Sequence, residues 1–267
     1  MKLPSIVWPA LFASMTVSAS ASASERHFGF GYESAVLNPG LAELQPWTTE
    51  RAGRALYYNR LEARAGFQLG LLRNLQAALF WNISSTTKDV VIKDAALKSR
   101  LGTTDFQSLS AQLKYKLSDA TADALGSALL LEGQAGPWLV GYEGRVIIDK
   151  QLGSLLLAFN LVAAGVEQLE PGSRFLASFG ATAAAGYFLT PNFATSLEVR
   201  NVNDFTGQLD RSVLYLGPTV SYASTRFWLT LAVQPQIVAF KGATAGYHLD
   251  LDQNEYVQAR LLLGFPL

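Results

Sequence analysis

The chain has no cysteine, which excludes disulfides and thiolate metal sites and suits an exported protein that avoids stray oxidation. Histidine is almost as scarce. Only His27 and His248 occur, which leaves little room for a Ser-His-acid arrangement. Neither sign of charge is in excess: 21 Lys and Arg balance 21 Asp and Glu, and charged residues make up only 16%, so nothing draws a nucleic-acid partner. Long apolar runs are missing too. Although 49% of residues are hydrophobic, no stretch beyond the N-terminus approaches the roughly eighteen uninterrupted apolar residues of a transmembrane helix.

The N-terminus reads as a secretory signal peptide, residues 1–23. Lys2 supplies a positive start, Ile6 to Val17 is a short apolar run, and the small residues of "SASASASE" place cleavage at Ala21-Ser22-Ala23. Residues 24–40 then form a periplasmic N-terminal segment ahead of the folded domain, which spans 41–267.

What the chain has in abundance is alternation. In "DFQSLSAQLKYKLSDA", residues 105–120, Leu109, Ala111, Leu113, Tyr115 and Leu117 alternate with Ser108, Ser110, Gln112, Lys114 and Lys116. A period of two is a strand with two different faces. The pattern holds for roughly ten residues, longer than the usual soluble strand and the length that crosses a bilayer. It recurs twelve times, at about 41–51, 56–69, 74–84, 105–118, 126–134, 138–149, 153–166, 174–188, 192–201, 211–222, 226–240 and 254–267. Short connections (72–74, 149–153, 190–192, 224–226) alternate with long polar ones (84–104, 202–210, 241–253); 118–126 is the exception on the short side.

Aromatics give an independent test. Outward faces carry Phe67, Tyr115, Tyr187, Phe193, Tyr222, Phe227 and Phe265 at the short-turn end, and Trp81, Tyr142 and Phe175 at the other. Two belts at headgroup level mark a membrane barrel. In hydrocarbon no strand edge can stay unpaired, so the set must close first strand to last. The expected fold is all-β: a transmembrane antiparallel up-and-down barrel of about twelve strands with both termini periplasmic, in the outer membrane of a Gram-negative bacterium.

Two stretches carry resemblances. The C-terminal "VQARLLLGFPL" is similar to the terminal strand of bacterial outer-membrane proteins, which the assembly machinery reads; Phe265 here stands two residues before the end. The mature start, with Gly31-Tyr32-Glu33, Pro39-Gly40, Glu43-Leu44 and Trp47-Thr48-Thr49, resembles a family of outer-membrane barrels grouped as transporters and as relatives of a phenol-degradation meta-pathway protein. That resemblance implies a transport role and brings no catalytic residues.

The inward face holds the candidate chemistry. Basic Arg60, Arg64, Lys114, Lys116, Arg145, Arg200 and Arg260 face acidic Glu43, Glu62, Glu132, Glu143, Asp149 and Glu198. Balanced charge in a confined lumen implies ion pairs between strands, acting either as a selective constriction or as a structural network that fills the barrel. Arg64, Arg200 and Arg260 form the best basic wall, with Glu43 and Glu198 as counter-charges. Opposite lie small or neutral inward residues, Asn160, Ala164, Ser178, Gly180, Thr182, Ala184, Gly217, Thr219 and Ser221, beside which an open path should run.

The reading is a passive pore or transporter for small solutes, in contact with outer-membrane lipid and lipopolysaccharide and with no cofactor. A lipid-modifying hydrolase with a rim site near His248 is the alternative, as is a non-conducting structural or recognition barrel. No Gly-x-Ser-x-Gly elbow occurs and no catalytic residue is assigned. Asp250, Asp252 and Asn254 in "HLDLDQNE" make a weak calcium candidate, since the run lacks the glycine and closing glutamate of an EF-hand loop and reads first as a solvated loop.

Overall fold

The computed structural model describes residues 25–91, 98–170, 172 and 175–267; the signal peptide expected at 1–23 lies outside them. Twelve strands follow in chain order: β1 (Ala42–Ala52), β2 (Tyr58–Leu72), β3 (Leu75–Val91), β4 (Lys98–Ser118), β5 (Gly126–Ala135) and β6 (Leu139–Leu152), then β7 (Leu155–Gln168), β8 (Leu176–Thr190), β9 (Phe193–Phe205), β10 (Leu209–Ala223), β11 (Trp228–Lys241) and β12 (Val257–Pro266). Each pairs antiparallel with its sequence neighbours, and β1 pairs with β12 to close the barrel. All twelve strands expected from alternation are present. At the seam Glu43 faces Pro266 and the Leu267 amide donates to the Ala42 carbonyl at 2.9 Å, so the start of β1 and the chain's end share the short-turn end.

Side chains sort as the period requires. Leu113 is 50% exposed on the outside while its neighbour Gln112 is 6% exposed on the inside. Phe67, Tyr115, Tyr187, Tyr222 and Phe265 lie exposed at one end, and Trp81, Tyr142 and Phe175 at the other. An apolar outer surface belted by rings has lipid as its natural solvent.

The loops differ from expectation. Residues 84–104, read as a long polar loop, are mostly strand: Ser84 pairs with Asp105, Lys88 with Leu101 and Val91 with Lys98. Likewise 202–210 continues the β9–β10 ladder to Phe205 opposite Leu209. The run Ser84-Ser85-Thr86-Thr87 is polar yet strand-forming, so its polarity marks a hairpin rising into water and not a break in pairing. Loop length therefore does not alternate strictly. Residues 136–138 and 206–208 are tight turns at the long-loop end, where strand overhang and residues 242–256 supply the height.

The larger difference is at the N-terminus. Residues 26–37 fold into the lumen at the short-turn end, where Phe28, Phe30, Tyr32 and Leu37 are buried. A backbone buried this way must find partners for its polar groups. Inward side chains around the wall supply them. The Glu198 carboxylate accepts from the amides of Gly29 (2.6 Å), Phe30 and Gly31 (2.9 Å each). Asn160 accepts from the Tyr32 amide at 2.7 Å and donates to its carbonyl at 2.9 Å. Asp149 accepts from the Ser34 amide and Gln76 from that of Leu37, each at 2.8 Å. Lys114 donates to the Ala35 carbonyl and Thr230 to that of Arg26. Gly29 has to be glycine: a Cβ there would lie 2.3 Å from that of Ala232 on β11. Phe28 packs with Leu156, Ala158 and Ala184, a burial worth about 1.5–3 kcal/mol.

Candidate functional site

Above this segment the lumen opens toward the long-loop end as a cavity of about 620 Å³, with Phe30 and Tyr32 as its floor. Of the thirteen charged residues expected on the inward face, eight line this cavity: Arg60, Glu62, Arg64, Glu132, Glu143, Arg145, Arg200 and Arg260. Most are paired. Arg60 meets Glu62 at 3.1 Å, Arg64 meets Glu132 at 2.5 Å and Arg145 meets Glu143 at 2.9 Å. Glu132 also accepts from Gln112 at 2.8 Å, which offsets the cost of its direct cross-strand neighbour Glu143.

The other five candidates lie toward the short-turn end, Asp149 among them on the Ser34 amide. Glu198 holds the N-terminal segment, and Lys114 donates to that segment's carbonyl. Lys116 pairs with Asp119 at 3.2 Å beside the 119–125 turn. Glu43 accepts from the Trp228 indole at 2.8 Å. Glu43 and Glu198, expected as counter-charges of the basic wall, are thus spent elsewhere. For Glu198 the reason is the buried backbone, whose clustered amides attract a carboxylate more effectively than a distant guanidinium does; Glu43 is taken up by the indole N–H of Trp228.

Arg64, Arg200 and Arg260 do come together, through aromatic rings. Arg64 sits 4.7 Å and Arg260 5.0 Å from the Trp47 ring centroid; Arg260 and Arg200 each sit 4.2 Å from that of Phe30. Arg200 continues to Tyr215 at 4.9 Å, and Arg145 covers Tyr32 at 4.2 Å. Guanidinium and ring alternate across the floor, an arrangement arginine's planar, weakly hydrated head group favours.

The small-residue wall divides. Ala164, Ser178, Gly180 and Thr182 line the cavity. Asn160, Ala184 and Thr219 instead accommodate the N-terminal segment, Thr219 by donating to Glu198. Part of the room expected for a solute path is therefore filled by the chain's own start.

Several cavity residues escaped the sequence reading. Arg51 meets Glu62 at 2.9 Å and Glu255 at 3.7 Å, Arg54 pairs with Glu255, and Arg211 meets Asp204 at 3.8 Å. Arg51 was within reach, because it keeps the parity of Glu43 and Thr49 along β1. Glu255 lies outside any strand and left no periodic signal.

The rim residues are less assembled. The His248 side chain is exposed, and among the described residues its ring meets no serine or carboxylate. Asp250 accepts from the Gln253 amide at 3.2 Å and the Asn254 side chain at 2.7 Å, which folds the loop on itself. Among the described residues no three His, Asp or Glu side chains converge as a metal site.

At the segment's outer end His27 Nδ1 lies 3.0 Å from Glu33 and its ring packs edge-on against Phe188. Burial works against a charged imidazole, yet the Glu33 hydrogen bond and charge outweigh it and raise the His27 pKa. Burial likewise opposes the Glu33 carboxylate, and the same contact holds it below its ordinary value.

Residues 174–267 match the model of a family of unknown function (DUF6662), about a third of the chain. No curated protein matches. Among solved structures, the COG4313 outer membrane channel from Pseudomonas putida F1 is similar with TM-score 0.57 at 12% identity, covering 88% of this chain and 98% of that one. The NanC porin is similar with TM-score 0.53 at 10% identity, covering 84% of this chain and 100% of that one. At such identities the likeness is one of fold. The chain is a closed twelve-stranded antiparallel barrel that shares its fold with these outer-membrane proteins.

Proposed function

We propose that the protein is a passive pore or transporter for small solutes in the bacterial outer membrane, entered from the long-loop rim through the charged cavity. In this reading the short-turn end, which holds the start of β1 and the end of β12, faces the periplasm, as short turns do in outer-membrane barrels. In the conformation described, residues 26–37 close that end, and passage requires them to shift. The observation that carries this reading is the cavity itself. A barrel with a purely structural interior has no need of about 620 Å³ of open space lined by arginine and glutamate. The resemblance of the mature start to transport-related barrels agrees with it.

Selectivity is set by the inward basic residues, because charge in a narrow low-dielectric passage acts on a passing ion with little screening. Replacing Arg64, Arg200 and Arg260 by glutamine should shift the ion preference toward cations in planar bilayers. An unchanged preference would move the constriction away from these residues. A second reading, a non-conducting barrel, is favoured by the dense hydrogen bonding of residues 26–37; absence of current from both the mature chain and a chain lacking those residues would establish it.

A further inference from the structure

The cavity lining is not neutral. It carries eight arginines against five carboxylates. Six of the arginines have carboxylate partners, and the two that lack one among the described residues are Arg200 and Arg260. Arg200 instead donates to the side-chain carbonyls of Gln258 (2.7 Å) and Gln234 (3.2 Å), and Arg260 to the Thr49 hydroxyl (2.9 Å) and the Gly29 carbonyl (3.3 Å). Each of these contacts fixes a guanidinium without neutralising it. Among the described residues, Nη1 of Arg200 and Nη2 of Arg260 have no hydrogen-bond acceptor. Both head groups lie 4.2 Å from the centroid of the Phe30 ring, so they are separated by no more than twice that distance.

We propose that Arg200 and Arg260, held around Phe30 at the cavity floor, form a binding site for small organic anions bearing carboxylates. Two preorganised guanidiniums with free N–H edges match carboxylate geometry, and the neutral partners avoid a competing internal ion pair. The open space, about 620 Å³, is of the size small-molecule sites use. The proposal names the solute class of the pore reading and rests on it for its role in passage, although binding itself does not require conduction.

Succinate is a suitable probe, with its neutral diamide, succinamide, as the control. Calorimetry on the detergent-solubilised mature chain at constant ionic strength should show succinate binding and no succinamide binding. Arg200→Gln and Arg260→Gln should each weaken succinate by about tenfold. Arg100→Gln, which removes a charge from the hairpin above the membrane, should leave it unchanged. Equal binding of the two probes to the wild type, or weakening by Arg100→Gln as large as by Arg260→Gln, would overturn the site. The wild-type comparison stands even if a variant fails to fold. Succinate binding in a barrel that passes no current would refute the pore and keep the site; current with no succinate binding would do the reverse.

Discussion

Glu198 holds the N-terminal segment through three backbone amides. Its two oxygens collect three consecutive amides of the N-terminal segment and the Thr219 hydroxyl, so it serves as an anion inside a nest of backbone N–H groups. Glu198→Gln removes the charge and turns an amide N–H₂ toward those donors. A charge-assisted hydrogen bond is worth about 1.5–3 kcal/mol, so losing one should raise the undocked population roughly tenfold to a hundredfold. Limited proteolysis within residues 26–37 should accelerate accordingly, while the barrel stays resistant. The His27–Glu33 contact adds a pH dependence. His27 has a raised pKa, so its contribution is complete below the ordinary value of about 6.5 and is lost as pH rises through the raised one. Glu33 has a lowered pKa, so its contribution is present above its ordinary 4.5 and is lost as pH falls through the lowered value. Hydrogen-exchange protection factors for residues 27–33 should therefore be highest in mild acid and decline on the alkaline side. His27→Gln should flatten that decline, and protection that is level between about pH 6 and 9 in the wild type would contradict the assignment.

At the scale of the strand, the inside–outside register makes a sharp distinction between neighbours. Leu113→Arg places a charge on the lipid face of β4 and should cost about 2–4 kcal/mol near the midplane. Gln112→Arg keeps its charge beside Glu132 and should cost much less, as read by urea unfolding in vesicles. Equal losses would mean the register is wrong. Strands were the legible part of the sequence, because a period of two survives in any segment that separates lipid from a polar interior. The same period puts Arg60, Glu62, Arg64, Glu132 and Glu143 on the side of the wall that lines the cavity. Strand ends were less legible. Beyond the membrane both faces of a hairpin meet water, so Thr86, Thr87 and Lys88 look like loop while pairing continues. The N-terminal segment hid for a related reason. Gly29 and Gly31 alternating with Phe28, Phe30 and Tyr32 is a period of two with no side chains on one face, which marks backbone pressed against a wall. Its partners, Asn160 and Glu198, are more than a hundred residues away and carry no local mark.

For the whole molecule, the barrel gives its polar interior two tasks. The short-turn half binds the chain's own start; the long-loop half keeps an open cavity rich in arginine. That division accounts for the small residues on β7, β8 and β10, for the diversion of Glu198 from the basic wall, and for the unneutralised charge at Arg200 and Arg260. It also turns the question of conduction into one about residues 26–37. The direct measurement is single-channel current through three forms of the mature chain: wild type, a form lacking residues 26–37, and a form with cysteines at Tyr32 and Asn160 joined by a short crosslinker, which the cysteine-free background makes specific. The account predicts steady current from the deleted form, little or intermittent current from the wild type, and none from the crosslinked form until the link is cleaved. Equal currents in the deleted and crosslinked forms would contradict it.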